Sequence, residues 1–206
     1  MVALGNPGPE YQLSRHNVGF WLADRLAAES GGRFRPERRL GGDLARITVS
    51  GHEIRLLKPM TFMNQSGGPV SAFCAYFRIP PESVLVVHDD LDLPAGSLRL
   101  KRGGGHGGHN GLRDIISRCG SGFMRLRIGI GRPPPGVDPV DYVLSRPDPE
   151  GETCLLEAVG SGLALLPLLF EKGLEPAMQT LHTSLPSPSG GSPSGESPAS
   201  APGSAR

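Results

Sequence analysis

The chain has 206 residues, 30 glycines, 21 prolines and a formal net charge of +1. That length holds one domain, or at most a small second one, and so small a charge gives no global attraction to a polyanion. A fibrous, collagen-like or wholly disordered protein is excluded, because the stretch lacking an apolar complement is confined to residues 184–206, where eight Ser, five Pro and four Gly accompany one large apolar side chain, Leu185. Such a segment cannot bury enough surface to offset its ordering entropy and reads as a disordered tail. Residues 1–183 are ordinary in composition and long enough to bury one core.

In chain order, Met1–Leu4 is a short apolar run stopped by Gly5-Asn6-Pro7-Gly8, a strand and tight turn. Ser14 is placed to cap a helix through about Glu29, with Val18, Trp21, Leu22 and Leu26 at helical spacing. Leu44–Val49 and Glu53–Leu57, joined across Ser50-Gly51, predict a hairpin. A helix is expected from about Pro69 to Phe77, and Ser83–Val87 has the Val/Leu content of a buried strand. Leu98–Lys101 is another strand, Asn110–Arg118 a helix opened by a glycine-rich loop, and Arg125–Ile130 a strand alternating Arg with apolar residues. Glu152 to about His182 reads as two helices broken near Gly173. The alternation predicts a single α/β domain with a mixed, mostly parallel twisted sheet flanked by helices.

Charge is unevenly spread. Leu93–Arg132 carries eight basic residues against one acid, Asp114, and Pro133–His182 carries eight acids against two bases. The basic zone keeps a nucleic-acid or phosphate partner open beside the plainer reading of a solvated face. Cys74, Cys119 and Cys154 lie in apolar stretches and read as reduced core thiols, without a disulfide framework or zinc site. The start MVALGNPG lacks a basic region before an apolar one, and no run approaching about 18 apolar residues is evident, so a cytoplasmic location and no membrane are expected.

Polar clusters fall at predicted strand ends and helix starts, where open α/β sheets place their sites. His16 titrates in the range suited to a general base, a role that improves if a carboxylate holds its second ring nitrogen; otherwise it is a structural or solvated histidine. Asp89, ending a buried strand, is either that carboxylate or a turn residue. No serine occupies a nucleophile elbow, which disfavours a covalent mechanism. His88, Asp89, Asp90 and Asp92 offer ligands to a divalent ion, but no second acidic cluster has matching spacing. The loop Gly103–Gly111 invites an anion through bare backbone N–H groups, yet fits neither the Rossmann nor the Walker pattern. Asn6, Asn64 and Asn110 each offer a donor and an acceptor, or serve as caps and turn residues.

These clusters, in order and spacing, resemble bacterial-type peptidyl-tRNA hydrolase: Leu4-Gly5-Asn6-Pro7-Gly8, Tyr11, Arg15-His16-Asn17-Val18-Gly19, Thr61-Phe62-Met63-Asn64, His88-Asp89-Asp90-Leu91-Asp92, Gly103–Gly111 and Arg125–Pro133. The resemblance runs to about Pro133 and more weakly to about His182. It implies a monomeric hydrolase that cleaves the peptide–tRNA ester and recycles tRNA from aborted translation, with no cofactor and no metal. By residue match it implies His16 as catalytic base and Asp89 as its orienting carboxylate, with Asn6 and Asn110 catalytic and Tyr11, Met63, Asn64 and Asn110 binding substrate. Lys101 and Arg127 match positions associated with tRNA phosphates, with Arg102 and Arg125 as local candidates. Two alternatives are a non-catalytic RNA-binding relative and a metal-dependent phosphoesterase built on the acids after Val87.

Overall fold

The most apolar segment of the chain sets the middle of the sheet. Strand β5 (Leu85–Asp90) is buried along five of its six positions, as befits a strand covered on both faces. The computed structural model describes residues 1–183, so the expected tail at 184–206 lies outside the described residues. Around β5 stand β1 (Val2–Ala3), β2 (Arg35–Glu37), β3 (Gly42–Val49), β4 (His52–Pro59), β6 (Leu98–Arg102) and β7 (Met124–Gly129), in the order β2-β3-β4-β1-β5-β7-β6. The parallel pairings are the three central ones, β4–β1, β1–β5 and β5–β7, and the flanking pairings are antiparallel. The sheet is therefore mixed, as expected, with its six pairings divided equally between parallel and antiparallel rather than mostly parallel.

Helices cover both faces. Helix α1 (Val18–Glu29) packs with α5 (Pro149–Lys172) and α6 (Leu174–Thr183) in a cluster containing Leu22, Leu26, Leu98, Leu126, Leu163 and Leu166. On the other face α2 (Gly67–Phe77) and α3 (Asn110–Cys119) bury Phe73, Val70, Leu112 and Ile115 against Val2, Leu57 and Val86. At about 25 cal/mol per Å², such clusters supply most of the drive to fold. Cys74, Cys119 and Cys154 are free thiols, the first buried and the others half-buried.

Several elements differ from expectation for identifiable reasons. Ser14 caps nothing: a 3₁₀ turn at Arg15–Asn17 precedes α1, and the buried Ser14 hydroxyl has no partner among the described residues. The strand expected at Ser83–Val87 is displaced, because Pro81–Ser83 forms a 3₁₀ turn and pairing with β7 carries β5 through Asp90. The hairpin extends to Gly42–Val49 and His52–Pro59, closed by Ser50 and Gly51, both at positive φ (49° and 80°), as a two-residue hairpin turn demands. Strand β2 was not anticipated, because Arg-Pro-Glu has little strand propensity and gains its place only by pairing with β3 at the sheet edge. Helix α4 (Pro139–Leu144) was also missed, although Asp138 caps it and Pro139 opens it, a readable signal.

Helix α5 carries a long apolar stretch, but Glu157 and Glu171 bound it short of the roughly 18 uninterrupted apolar residues of a spanning run. By mean hydropathy and length, its 24 residues include a window apolar enough to cross a bilayer. Here it is a core helix, with Leu155, Val159, Leu163, Leu166 and Leu169 buried, and Gly162 so close to α1 that a Cβ there would sit 2.9 Å from Leu22 Cδ1.

Candidate active site

The site is built where the carboxyl ends of β1 and β5 meet the start of α1. Gly19 makes that meeting possible: a Cβ there would lie 2.5 Å from the Leu4 carbonyl oxygen and 2.8 Å from that of Val87. The close approach sets the 3₁₀ turn before α1 over the end of β5 and brings His16 against Asp89. His16 Nδ1 and Asp89 Oδ1 are 2.8 Å apart, both groups buried. Burial by itself would raise the Asp89 pKa, but His16 and His109 together hold it well below the usual carboxylate range. An ionised carboxylate only accepts, so Nδ1 of His16 carries the proton and Nε2 is left as the basic nitrogen. For His16, burial pulls the pKa down, but the Asp89 charge and hydrogen bond overcome it and push it above the usual value.

His109 completes the cluster and was not singled out from the sequence. Its Nδ1 accepts the backbone N–H groups of Gly111 (3.1 Å) and Leu112 (3.3 Å), capping α3, which fixes the proton on Nε2. That Nε2–H donates to Asp89 Oδ1 at 3.1 Å, so two imidazoles converge on one carboxylate oxygen. The position was findable: a histidine immediately before a predicted helix start, in a glycine loop that leaves backbone N–H groups open. His88 donates Nδ1–H to the Asp89 carbonyl at 2.6 Å, and its buried Nε2 has no partner among the described residues. Burial and then the proximity of His109 push its pKa down to about 3, so it is neutral.

The asparagines divide into two kinds. Asn6 is buried and reciprocally bonded to Asn17, its N–H donating to Asn17 Oδ1 (2.8 Å) and its carbonyl accepting from Asn17 Nδ2 (2.9 Å). Asn6 Oδ1 also accepts the Met63 N–H at 2.7 Å, tying the first loop to the segment after β4. Met63 is itself buried, and its sulfur fills the space left by Gly111, where a Cβ would lie 2.6 Å away. By contrast Asn64 and Phe62 are exposed, and Asn110, at the start of α3, is exposed with Oδ1 accepting from Arg113 at 2.8 Å.

A cleft of about 530 Å³, partly open to solvent, is lined by His16, Asp89, His109, Asn110 and, across from them, Val140 and Val143. Thus the structure brings His16, Asp89 and Asn110 together at one cleft. Asn6 and Met63 are joined to each other beneath it, and Tyr11 and Asn64 do not line it.

On the basic side, Lys101 lies on β6 opposite Arg125 of β7, and Arg99 opposite Arg127. Arg127 Nε donates to Asp90 Oδ2 at 2.7 Å, so part of its charge is already compensated. Lys101 is half-buried, and burial followed by Arg127 and Arg125 lowers its pKa. Arg125 is corrected from a phosphate candidate to an internal strut: it is 1 % exposed and donates to the carbonyls of Gly104 (2.5 Å) and Gly105 (2.6 Å). Arg102 is exposed and donates to the Glu82 carbonyl at 2.8 Å.

Metal chemistry fits this donor set poorly. His16, Asp89 and His109 place ligand atoms within 4.8 Å of one another, the one group among the described residues able to hold an ion, but those atoms are engaged in hydrogen bonds to each other. Asp90 and Asp92 are ion-paired with Arg127 and Arg132, which removes the carboxylates a phosphoesterase reading needs.

Residues 1–188 match the family model described as peptidyl-tRNA hydrolase. Among curated relatives, the peptidyl-tRNA hydrolase of Alkalilimnicola ehrlichii is 49 % identical over 185 residues, covering 89 % of this chain and 94 % of that one. That of Halorhodospira halophila is 49 % identical over 183 residues, covering 88 % and 94 %. The crystal structure of peptidyl-tRNA hydrolase from Acinetobacter baumannii superposes with a TM-score of 0.84 at 42 % identity, covering 87 % of this chain and 92 % of that one. Fold, motif order and identity across nine-tenths of the chain agree, and the chain belongs to the peptidyl-tRNA hydrolase family of hydrolases.

Proposed function

We propose that the protein cleaves the ester between a peptide and the 3′-terminal ribose of tRNA with a water molecule activated by His16, recycling tRNA from aborted translation in the cytoplasm as a monomer. The observation that carries the mechanism is the 2.8 Å pairing of His16 Nδ1 with the buried, ionised Asp89, in a cleft whose lining has no Ser, Thr or Cys. With no side-chain nucleophile, the group to activate is water. His16 Nε2 takes a proton from water as its oxygen bonds to the ester carbonyl carbon. Asp89 stabilises the imidazolium that forms. The tetrahedral oxyanion needs a donor, for which the Asn110 amide at the cleft is the best placed. Collapse breaks the bond to the ribose oxygen, which leaves with the proton held on His16. The products are a peptide acid and tRNA.

Asn6 acts by holding Met63 and the exposed Phe62 and Asn64 in place, and Asn64 and Tyr11 contact the substrate outside the cleft proper. Lys101 and Arg127 contact tRNA phosphates. A phosphoesterase reading is disfavoured by the arginine pairing of Asp90 and Asp92. The test is release of tRNA from an N-acetylated aminoacyl-tRNA, with a transition-metal chelator present and magnesium held constant. The parent hydrolyses it regardless of chelator, and His16→Ala loses about 10²- to 10⁴-fold in turnover. Near-parent turnover in His16→Ala, or abolition by chelator, sinks the reading.

A further inference from the structure

The proposed chemistry leaves unexplained the charge on the far edge of the sheet. Residues 33–39 read Arg-Phe-Arg-Pro-Glu-Arg-Arg, and Arg33, Arg35, Arg38 and Arg39 are all exposed. Elsewhere, the exposed Arg25, Arg46, Arg118, Arg132 and Arg146 are each ion-paired with a carboxylate, while Arg78, Arg102 and Arg113 are exposed singly without an ion pair among the described residues. The four edge arginines have no ion pair among the described residues. Glu37, the one acid among them, spends its Oε1 on capping the Arg39 N–H at 3.3 Å. Unpaired positive charge of this density raises the local potential and costs self-repulsion unless an anion relieves it.

The shape of the edge narrows the anion. Strand β2 is the terminal strand, and beside it an open groove of about 940 Å³ is lined by Arg33, Arg35, Arg46, Glu37 and Leu44. Addition of a partner strand is disfavoured, because Pro36 at the centre of β2 has no N–H to donate and charged side chains flank it. Arg33 and Arg35 line the groove and the exposed Arg38 and Arg39 follow on the turn after β2, a cluster of guanidinium forks that suits neighbouring phosphates, each of which a fork can grip bidentately. The patch also stands at the opposite edge from Lys101 on β6, six strand spacings or roughly 29 Å away at about 4.8 Å per strand. Phosphates held there are therefore not those gripped by Lys101 and Arg127.

We propose that Arg33, Arg35, Arg38 and Arg39 form a second RNA-binding surface, one that holds the phosphate backbone of a folded RNA away from the reacting ester. The choice of RNA among polyanions rests on the reading of this chain as an enzyme of tRNA; the patch itself does not. A quadruple variant, Arg33→Gln, Arg35→Gln, Arg38→Gln and Arg39→Gln, is compared with the parent for binding of deacylated tRNA across a salt titration. Hydrolysis of a minimal ester, a blocked aminoacyl group on a short 3′ fragment, is measured in parallel. The variant should bind tRNA at least ten-fold more weakly at low salt, and its log–log salt slope should be shallower by roughly 0.9 for each phosphate it no longer neutralises. Turnover of the minimal ester should stay at the parent level, and the four-fold Arg→Lys variant should keep most of the slope. Parental affinity and slope in the glutamine variant overturn the proposal. So does a variant that keeps tRNA binding but no longer binds phosphatidylglycerol vesicles that the parent binds, which assigns the patch to a membrane surface. An inert minimal ester together with salt-linked tRNA binding through the patch refutes the hydrolase reading while leaving this one standing.

Discussion

The two halves of the candidate site are built on opposite principles. Behind the cleft, Asn6, Asn17, His16, Asp89 and His109 are buried or nearly so, and hydrogen bonds of 2.7–3.1 Å fix each ring and amide. In front, Phe62, Asn64 and Asn110 stand exposed on short helical starts, and Val140 on the facing helix α4 is exposed too. In the proposed mechanism the rear half is preorganised for proton transfer, where a misplaced ring costs rate. Under the proposed function, the exposed side chains of the front half would be free to adjust to peptides of different sequence. Preorganisation and tolerance are thus assigned to different residues, and each half should fail in its own way.

The sharpest break comes from Asp89→Asn. It leaves the shape of the rear half but removes the charge that stabilises the His16 imidazolium, so turnover should fall by about 10²-fold or more with KM little changed. The pH profile supplies the sign. Since Asp89 raises the His16 pKa, parental kcat/KM should climb through an apparent pKa above 6.5, where His16 becomes neutral and basic. In Asp89→Asn that limb should move to lower pH, because the charge favouring the protonated ring is gone. A limb that stays put means His16 is not the titrating base.

Next in size is Arg125→Met, which attacks the support of the rear half rather than its chemistry. It leaves the Gly104 and Gly105 carbonyls without their buried donor, and stability should drop by about 2–3 kcal/mol. Denaturant unfolding measures the loss, and a neutral result denies the strut. For the front half, Phe62→Ala and Asn64→Ala should raise KM a few-fold with kcat and melting temperature held, because neither side chain is part of the core. Equal losses in kcat would show that these residues belong to the rear half after all.

The smallest effect separates binding charge from structural charge. Lys101→Ala should raise KM for full-length substrate and flatten the salt slope by roughly one unit, without touching turnover of a short ester. Arg127→Ala should show a weaker version, since its guanidinium is already shared with Asp90. Equal defects for both substrates place the pair in support of the cleft.

Most strands and helices were legible because their signals are local. The apolar run before His88, the Ser50-Gly51 turn and the break at Gly173 each act through neighbours in sequence. Of the missed pieces, α4 carries a local signal in Asp138 and Pro139, whereas β2 has none and is a strand only because β3 lies beside it. In the site, the motif order marked His16 and Asp89, but nothing local told a phosphate-gripping arginine from a buried one. Arg125 and Arg127 alternate along one strand, and only packing against the Gly103–Gly111 loop made the first a strut.

By itself the sequence determined the residue types proposed here for acid–base work, their order, and the family the chain belongs to, because motif spacing along the chain is a one-dimensional property. Tertiary structure alone decided that His109 and His16 share one oxygen of Asp89 and that Asn6 reaches Met63, partners 20 and 57 residues apart. It also decided that Arg33, Arg35, Arg38 and Arg39 stand at the sheet edge opposite Lys101. The reason is that hydrogen bonding, burial and charge compensation depend on distances between side chains, and those distances exist only once the sheet has set its strand order.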